Sequence, residues 1–132
     1  LNKSAIIERS LRRMREEYNA NPQLDNFTHI DALILNLERA CQAAIDLAQH
    51  LVAIKHLGMP QNSAESFHLL ENSGIISSAS TKSMIAMTGF RNIVIHEYQK
   101  LDMGILKQIV EEEYKSLILF CKEIGIEILV NE

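Results

Sequence analysis

Between Ile30 and Leu51 the chain reads IDALILNLERACQAAIDLAQHL. Its apolar positions Ile30, Ile34, Leu37, Cys41, Ala44, Ala48 and Leu51 alternate steps of four and three without a break, the spacing of one stripe on an α-helix. Asp25 or Asn26 stands where an N-cap is needed. Gly58, with Pro60 just beyond, is placed to close the helix with a left-handed turn. These marks predict a helix of about thirty residues. So regular a seven-residue seam suits packing along another long helix, within a bundle or across a dimer interface.

The flanking segments follow the same rule. Upstream, Ile7, Leu11, Met14 and Tyr18 recur every three or four residues from Ser4 to Tyr18, ahead of the turn-rich NANPQLDN. The polar side of that segment carries Arg9, Arg12, Arg13 and Arg15, the most basic stretch of the chain. It reads as a solvated helix face, with contact to RNA or a partner as the alternative. Downstream, Asn62 with Glu65 resembles a capping box opening a short helix through SFHLLEN, which Gly74 closes. Ser77 or Ser78 caps a fourth helix running through KSMIAMTGFRNIVIHEY. Asp102 caps a fifth, along which Leu106, Val110, Tyr114, Leu117, Cys121 and Ile124 keep the four-three rhythm until Gly125. The tail IEILVNE is apolar enough to pack back and is the only candidate strand. The expectation is an all-α, up-and-down bundle of four to five helices forming one domain over residues 1–132.

Composition narrows the function classes. At 132 residues, 47% hydrophobic and 23% charged, the chain is an ordinary globular sequence, and with no Trp and 5% aromatics its core must be mainly aliphatic. A net charge of -4 argues against a surface that attracts phosphate everywhere, and leaves room for a local basic patch. Cys41 and Cys121 fall on apolar stripes, in no metal or redox spacing, and read as core side chains in a reducing compartment. No apolar run reaches the ~20 residues of a membrane span, and LNKSAIIERS lacks the apolar region of a signal peptide, so a cytoplasmic location is expected. The glycines are too dispersed for a phosphate loop. No metal site is expected either: His50 and His56 are six apart on a helix, His29 and His68 have no evident partner, and EEE at 111–113 reads as a wet face.

One stretch does not fit a plain bundle. GFRNIVIHEYQ places Arg91, His96 and Tyr98 within eight residues. At 100° per residue Tyr98 lies about 20° from Arg91, whereas His96 lies about 140° away. Arg91 and His96 can converge on one phosphate in two ways: the helix unwinds after Ile95, or a second protomer brings its own copy across a two-fold axis. Their chemistry suits RNA. Attack of a ribose 2′-OH on the neighbouring phosphodiester needs no metal; it needs a base near neutral pH and stabilisation of a pentavalent phosphorane. Histidine and the arginine fork supply those two functions.

The string Arg91-Asn-Ile-Val-Ile-His96-Glu-Tyr98, an R-x4-H-x-Y pattern, resembles the signature of the HEPN superfamily, in particular its HepT-like toxins. The long second helix, LENSGIIS before the motif helix, MTGFRNIVIHEYQKLD through it and ILKQIVEEEYKSLILF after it extend the resemblance over nearly the whole chain. The resemblance implies a metal-independent endoribonuclease toxin of a toxin-antitoxin system, without a cofactor, whose site forms where two protomers meet. Arg91 would stabilise the phosphate, His96 would act as general acid or base, and Asn92 would orient substrate or histidine. Tyr98 matches the tyrosine to which a minimal nucleotidyltransferase (MNT) antitoxin transfers AMP. Two other readings compete: a non-catalytic nucleotide-binding module that pairs with a nucleotidyltransferase, and a plain helical dimerisation domain.

Overall fold

The computed structural model of the chain describes residues 2–96 and 102–130, with the backbone alone at Ile95 and His96. All regular structure among the described residues is helical. Helix α1 (Asn2–Ala20) and helix α2 (Phe27–Ile54) form a hairpin. Lys3 meets Asp46 at 3.0 Å near one end, and His29 Nδ1 meets the Glu17 carboxylate near the other, so the two run antiparallel. His29 thereby gains a partner that its sequence position does not reveal.

The turn between them is built on buried Asn21, whose Oδ1 accepts from the backbone N–H groups of Asp25 (3.0 Å) and Asn26 (2.9 Å). Of the two candidate caps, Asn26 does the capping: its Oδ1 accepts from Thr28 N at 3.0 Å and His29 N at 3.4 Å. Replacing such a cap by alanine typically costs about 1 kcal/mol.

The far end of α2 departs from expectation. The helix stops at Ile54, and His56, not Gly58, takes the left-handed conformation, with φ +53°. His56 N–H reaches Ala53 O (3.3 Å) and Leu57 N–H reaches Val52 O (3.0 Å), the paired closure of a Schellman turn, which puts the left-handed residue two positions after the last helical one. Gly58 instead carries the chain onward at φ +137°, where an added Cβ would touch the Leu69 methyls at 3.5 Å. Gly74 and Gly125 do close their helices as the sequence suggests, each with the same paired hydrogen bonds.

Helix α3 (Ser63–Asn72) starts at Asn62, which accepts from Glu65 N at 2.9 Å, and helix α4 (Ser78–His96) starts at Ser77, whose Oγ accepts from Ser80 N at 3.1 Å. The expected fifth helix is not one regular helix. It runs as α5 (Met103–Gln108), a π-helical segment at Ile109–Glu113 and α6 (Lys115–Glu123). Tyr114 N–H reaches back five residues to Ile109 O at 2.9 Å. The wider turn buries Ile109, Val110 and Tyr114 together.

Arg15 explains how the π turn is held. Its Nη1 donates to Val110 O at 2.7 Å, and its guanidinium lies 5.2 Å from the Tyr114 ring centre and 5.7 Å from that of Tyr18. Tyr18 in turn donates to Glu111 at 2.6 Å. Burial first, and that carboxylate second, push the Tyr18 phenol up to about 12.

The core is aliphatic with a few aromatics, Phe67 and Phe120 meeting edge to face at 5.5 Å to join α3 to α6. Residues 126–130 form no strand; they lie along α1, where Glu8 accepts from Leu129 N (2.7 Å) and Arg12 Nε donates to Leu129 O (2.8 Å). Cys41 and Cys121 are free, buried thiols. Among the described residues no helix is long and apolar enough to cross a membrane, and no three His, Cys, Asp or Glu side chains are grouped to hold a metal ion.

Candidate functional site

Helix α4 sets the site. Ser80, Thr81, Met84, Met87 and Phe90 form its buried stripe, so its rotation about its axis is fixed by packing. Arg91, one residue past Phe90, therefore turns about 100° away from that stripe, and it reaches α2. There its Nε lies 3.7 Å from Glu38 Oε1, with 22% of the arginine side chain and 26% of the glutamate exposed. The Nε itself is enclosed and makes no hydrogen bond among the described residues. Among the described residues the guanidinium is held in position by its half-buried stem and one nearby carboxylate.

Cys41 sits in the same neighbourhood. Burial pushes its thiol up to about 12, against the pull of the Arg91 charge and with a smaller push from Glu38. Burial likewise raises the Cys121 thiol to about 11. Neither cysteine is a thiolate near neutral pH, so neither is a ready nucleophile there.

Asn92 is exposed beside Arg91, and Ile93 is 44% exposed. His96 is the last residue of α4, so the backbone stays helical from Arg91 to His96 and keeps the two about 140° apart around the axis. Tyr98 lies outside the described residues. Thus Arg91 and Asn92 are placed side by side on α4.

Two concave surfaces flank α4's partners. A cleft of about 500 Å³ opens between α1 and α2, and its lining includes Lys3, Arg9, Arg13, Glu38, Arg39 and Asp46. A more apolar groove of about 410 Å³ runs between α4 and α5, lined in part by Met87, Phe90, Ile105 and Ile109. Glu38 does not stand out in the sequence. Its one signal there is a charge lodged between seam positions Leu37 and Cys41, which says nothing about its partner on another helix.

Residues 6–124 match the family described as ribonuclease HepT-like. The chain is 36% identical over 128 residues to the mRNA nuclease HepT of Shewanella oneidensis, covering 96% of each protein. Among solved structures it is similar to the tri-AMPylated Shewanella oneidensis HEPN toxin in complex with MNT antitoxin, at 36% identity and a TM-score of 0.88, covering 93% of each chain. A toxin-antitoxin crystal structure with AMP-PNP is also similar, with 34% identity, a TM-score of 0.88 and coverage of 94% of this chain and 95% of that one. With the family matched over most of its length and its all-helical fold shared, the chain belongs to the HepT-like ribonucleases.

Proposed function

We propose that the chain is a metal-independent endoribonuclease toxin that acts in the cytoplasm as one helical domain over residues 1–132. Its site combines Arg91 of one protomer with His96 of a second, and is silenced by AMP transfer to Tyr98 from an MNT antitoxin. The carrying observation is that α4 remains helical through His96 while Arg91 is anchored toward Glu38. A helix that continues through His96 favours convergence through a second protomer over unwinding after Ile95. The groove between α4 and α5, with Ile93, Met103 and Ile105 exposed around it at 44%, 38% and 53%, offers an apolar surface next to the motif for that protomer to cover.

In the proposed reaction the substrate 2′-oxygen bonds to phosphorus as the bond to the 5′-oxygen breaks. A neutral His96 ring takes the 2′ proton, or in its protonated form gives one to the departing 5′-oxygen. The Arg91 fork stabilises the extra charge on the phosphorane oxygens. Asn92, exposed on the next position, orients the phosphate or the imidazole. The products are a 2′,3′-cyclic phosphate and a 5′-hydroxyl. In the silencing step the Tyr98 oxygen attacks the α-phosphorus of ATP and pyrophosphate leaves, placing an anionic nucleotide beside the pair.

The test is incubation of the purified chain with RNA in EDTA. Fragments ending in 2′,3′-cyclic phosphate are expected, and neither Arg91→Ala nor His96→Ala protein should produce them. An equal mixture of those two inactive variants should regain activity if the site is shared across protomers. Nucleotide binding without any cleavage would replace this reading by the non-catalytic module.

A further inference from the structure

The α1–α2 cleft holds four cations, Lys3, Arg9, Arg13 and Arg39, against two carboxylates, Glu38 and Asp46. Lys3 is committed to Asp46 at 3.0 Å, and Glu38 faces Arg91 at 3.7 Å. Arg9, Arg13 and Arg39 are exposed, and among the described residues none of the three has a carboxylate within ion-pair distance. The contrast with their neighbours on α1 is sharp. Arg12 donates to Leu129 O and Arg15 to Val110 O, so those two serve the fold.

Arg9 and Arg13 are four residues apart, on one face of α1 and about 6 Å apart along its axis. Arg39 faces them from α2, one residue after Glu38. Guanidinia on both walls of one cleft repel each other unless an anion lies between them, and a guanidinium fork suits a phosphate. One cleft wall, Glu38, is also the residue against Arg91, so the cleft adjoins the motif arginine.

From this placement we infer that the α1–α2 cleft is a second RNA-binding site, in which Arg9, Arg13 and Arg39 take backbone phosphates of the strand whose scissile phosphate lies at Arg91. This inference rests on the ribonuclease reading for its choice of anion. It resolves how a chain of net charge -4 can hold RNA: the attraction is concentrated in one cleft. Contacts of this kind hold the strand irrespective of its sequence.

The test measures binding apart from cleavage. A single-stranded 2′-O-methyl RNA, which lacks the attacking hydroxyl, is titrated into the full-length protein over a series of salt concentrations. The Arg9→Gln/Arg13→Gln/Arg39→Gln protein should bind about tenfold or more weakly. The slope of log affinity against log salt should shrink by about 2, at roughly 0.7 for each phosphate no longer neutralised. Asp46→Asn removes a carboxylate from the cleft and releases Lys3, so it should bind tighter, a gain that misfolding cannot imitate. Unchanged affinity and slope in the triple variant would overturn the inference. So would unchanged RNA binding together with failure to associate with the nucleotidyltransferase partner, which would make the cleft a protein-docking surface. Should Arg91→Ala cleave normally while the triple variant binds poorly, the catalytic reading fails and the cleft stands.

Discussion

Arg15 and Arg91 are two partly buried arginines with the same local flaw and opposite commitments. Each has an enclosed Nε that makes no hydrogen bond among the described residues. Around Arg15 the guanidinium is tied to the fold: a carbonyl of the π segment takes Nη1 at 2.7 Å, and two tyrosine rings flank it. Around Arg91 there is a single carboxylate among the described residues, at 3.7 Å. An arginine bonded to a backbone carbonyl and packed between two rings maintains a fold. One held among the described residues by a single long ion pair fits the phosphate-stabilising role we propose for Arg91.

That contrast can be broken by substitution. Arg91→Ala should lower RNA cleavage by roughly 10²–10³-fold, as removal of a charge-stabilising group does. Its urea midpoint should stay close to the parent's, since so long an ion pair is worth at most about 1 kcal/mol. Arg15→Ala should do the reverse. Without its charged hydrogen bond and two cation–π interactions the fold should be weaker by about 2–4 kcal/mol in urea unfolding, with cleavage per folded molecule maintained. A destabilised Arg91→Ala with intact activity would invert the assignment.

Smaller effects sharpen it. Arg91→Lys keeps the charge without the fork, so cleavage should fall by about tenfold, less than with alanine. Glu111→Gln weakens the acceptor for Tyr18 and should cost about 1 kcal/mol, seen as a lower unfolding midpoint with unchanged cleavage.

The mildest effect is confined to alkaline solution. Folded Cys41 and Cys121 thiols are raised from 9.0 to about 12 and about 11, and the Tyr18 phenol from 10.0 to about 12. The folded state thus keeps protons that the unfolded chain releases, and stability should be full below pH 9 and decline as pH rises toward 12. Denaturation midpoints across that range should fall more gently, relative to their own neutral-pH values, in Cys41→Ala.

Stripes are more legible in this sequence than helix pitch or partners. Ile30 through Leu51 is one seam, buried except at half-buried Leu51, because burial of a stripe is what the spacing encodes. The equally regular run from Leu106 to Ile124 hides a π turn, since side-chain spacing does not record which carbonyl each N–H reaches; here the decisive side chain, Arg15, is 95 residues away in sequence. The left-handed residue after α2 is hard to place for a related reason: glycine at 58 advertises that conformation, and histidine at 56 adopts it. At the site, helical angles separate Arg91 from His96 correctly along α4, and the motif string carries the family. Glu38, and the division of the α1 arginines into two that bond to the fold and two with no ion pair among the described residues, leave no trace in the sequence, because both depend on what another segment places opposite.

Glu38 has one more consequence, for selectivity among anions. A phosphate arriving at Arg91 does not meet an isolated cation; it competes for the guanidinium with a carboxylate tethered at 3.7 Å. A tethered competitor acts at an effective concentration of at least about the millimolar order, so free inorganic phosphate or chloride at cellular levels is poorly placed to displace it. A polymer attached at several points escapes that disadvantage, because its next phosphate is tethered as well. Millimolar phosphate should therefore inhibit RNA cleavage only weakly, and should inhibit more strongly in Glu38→Gln protein.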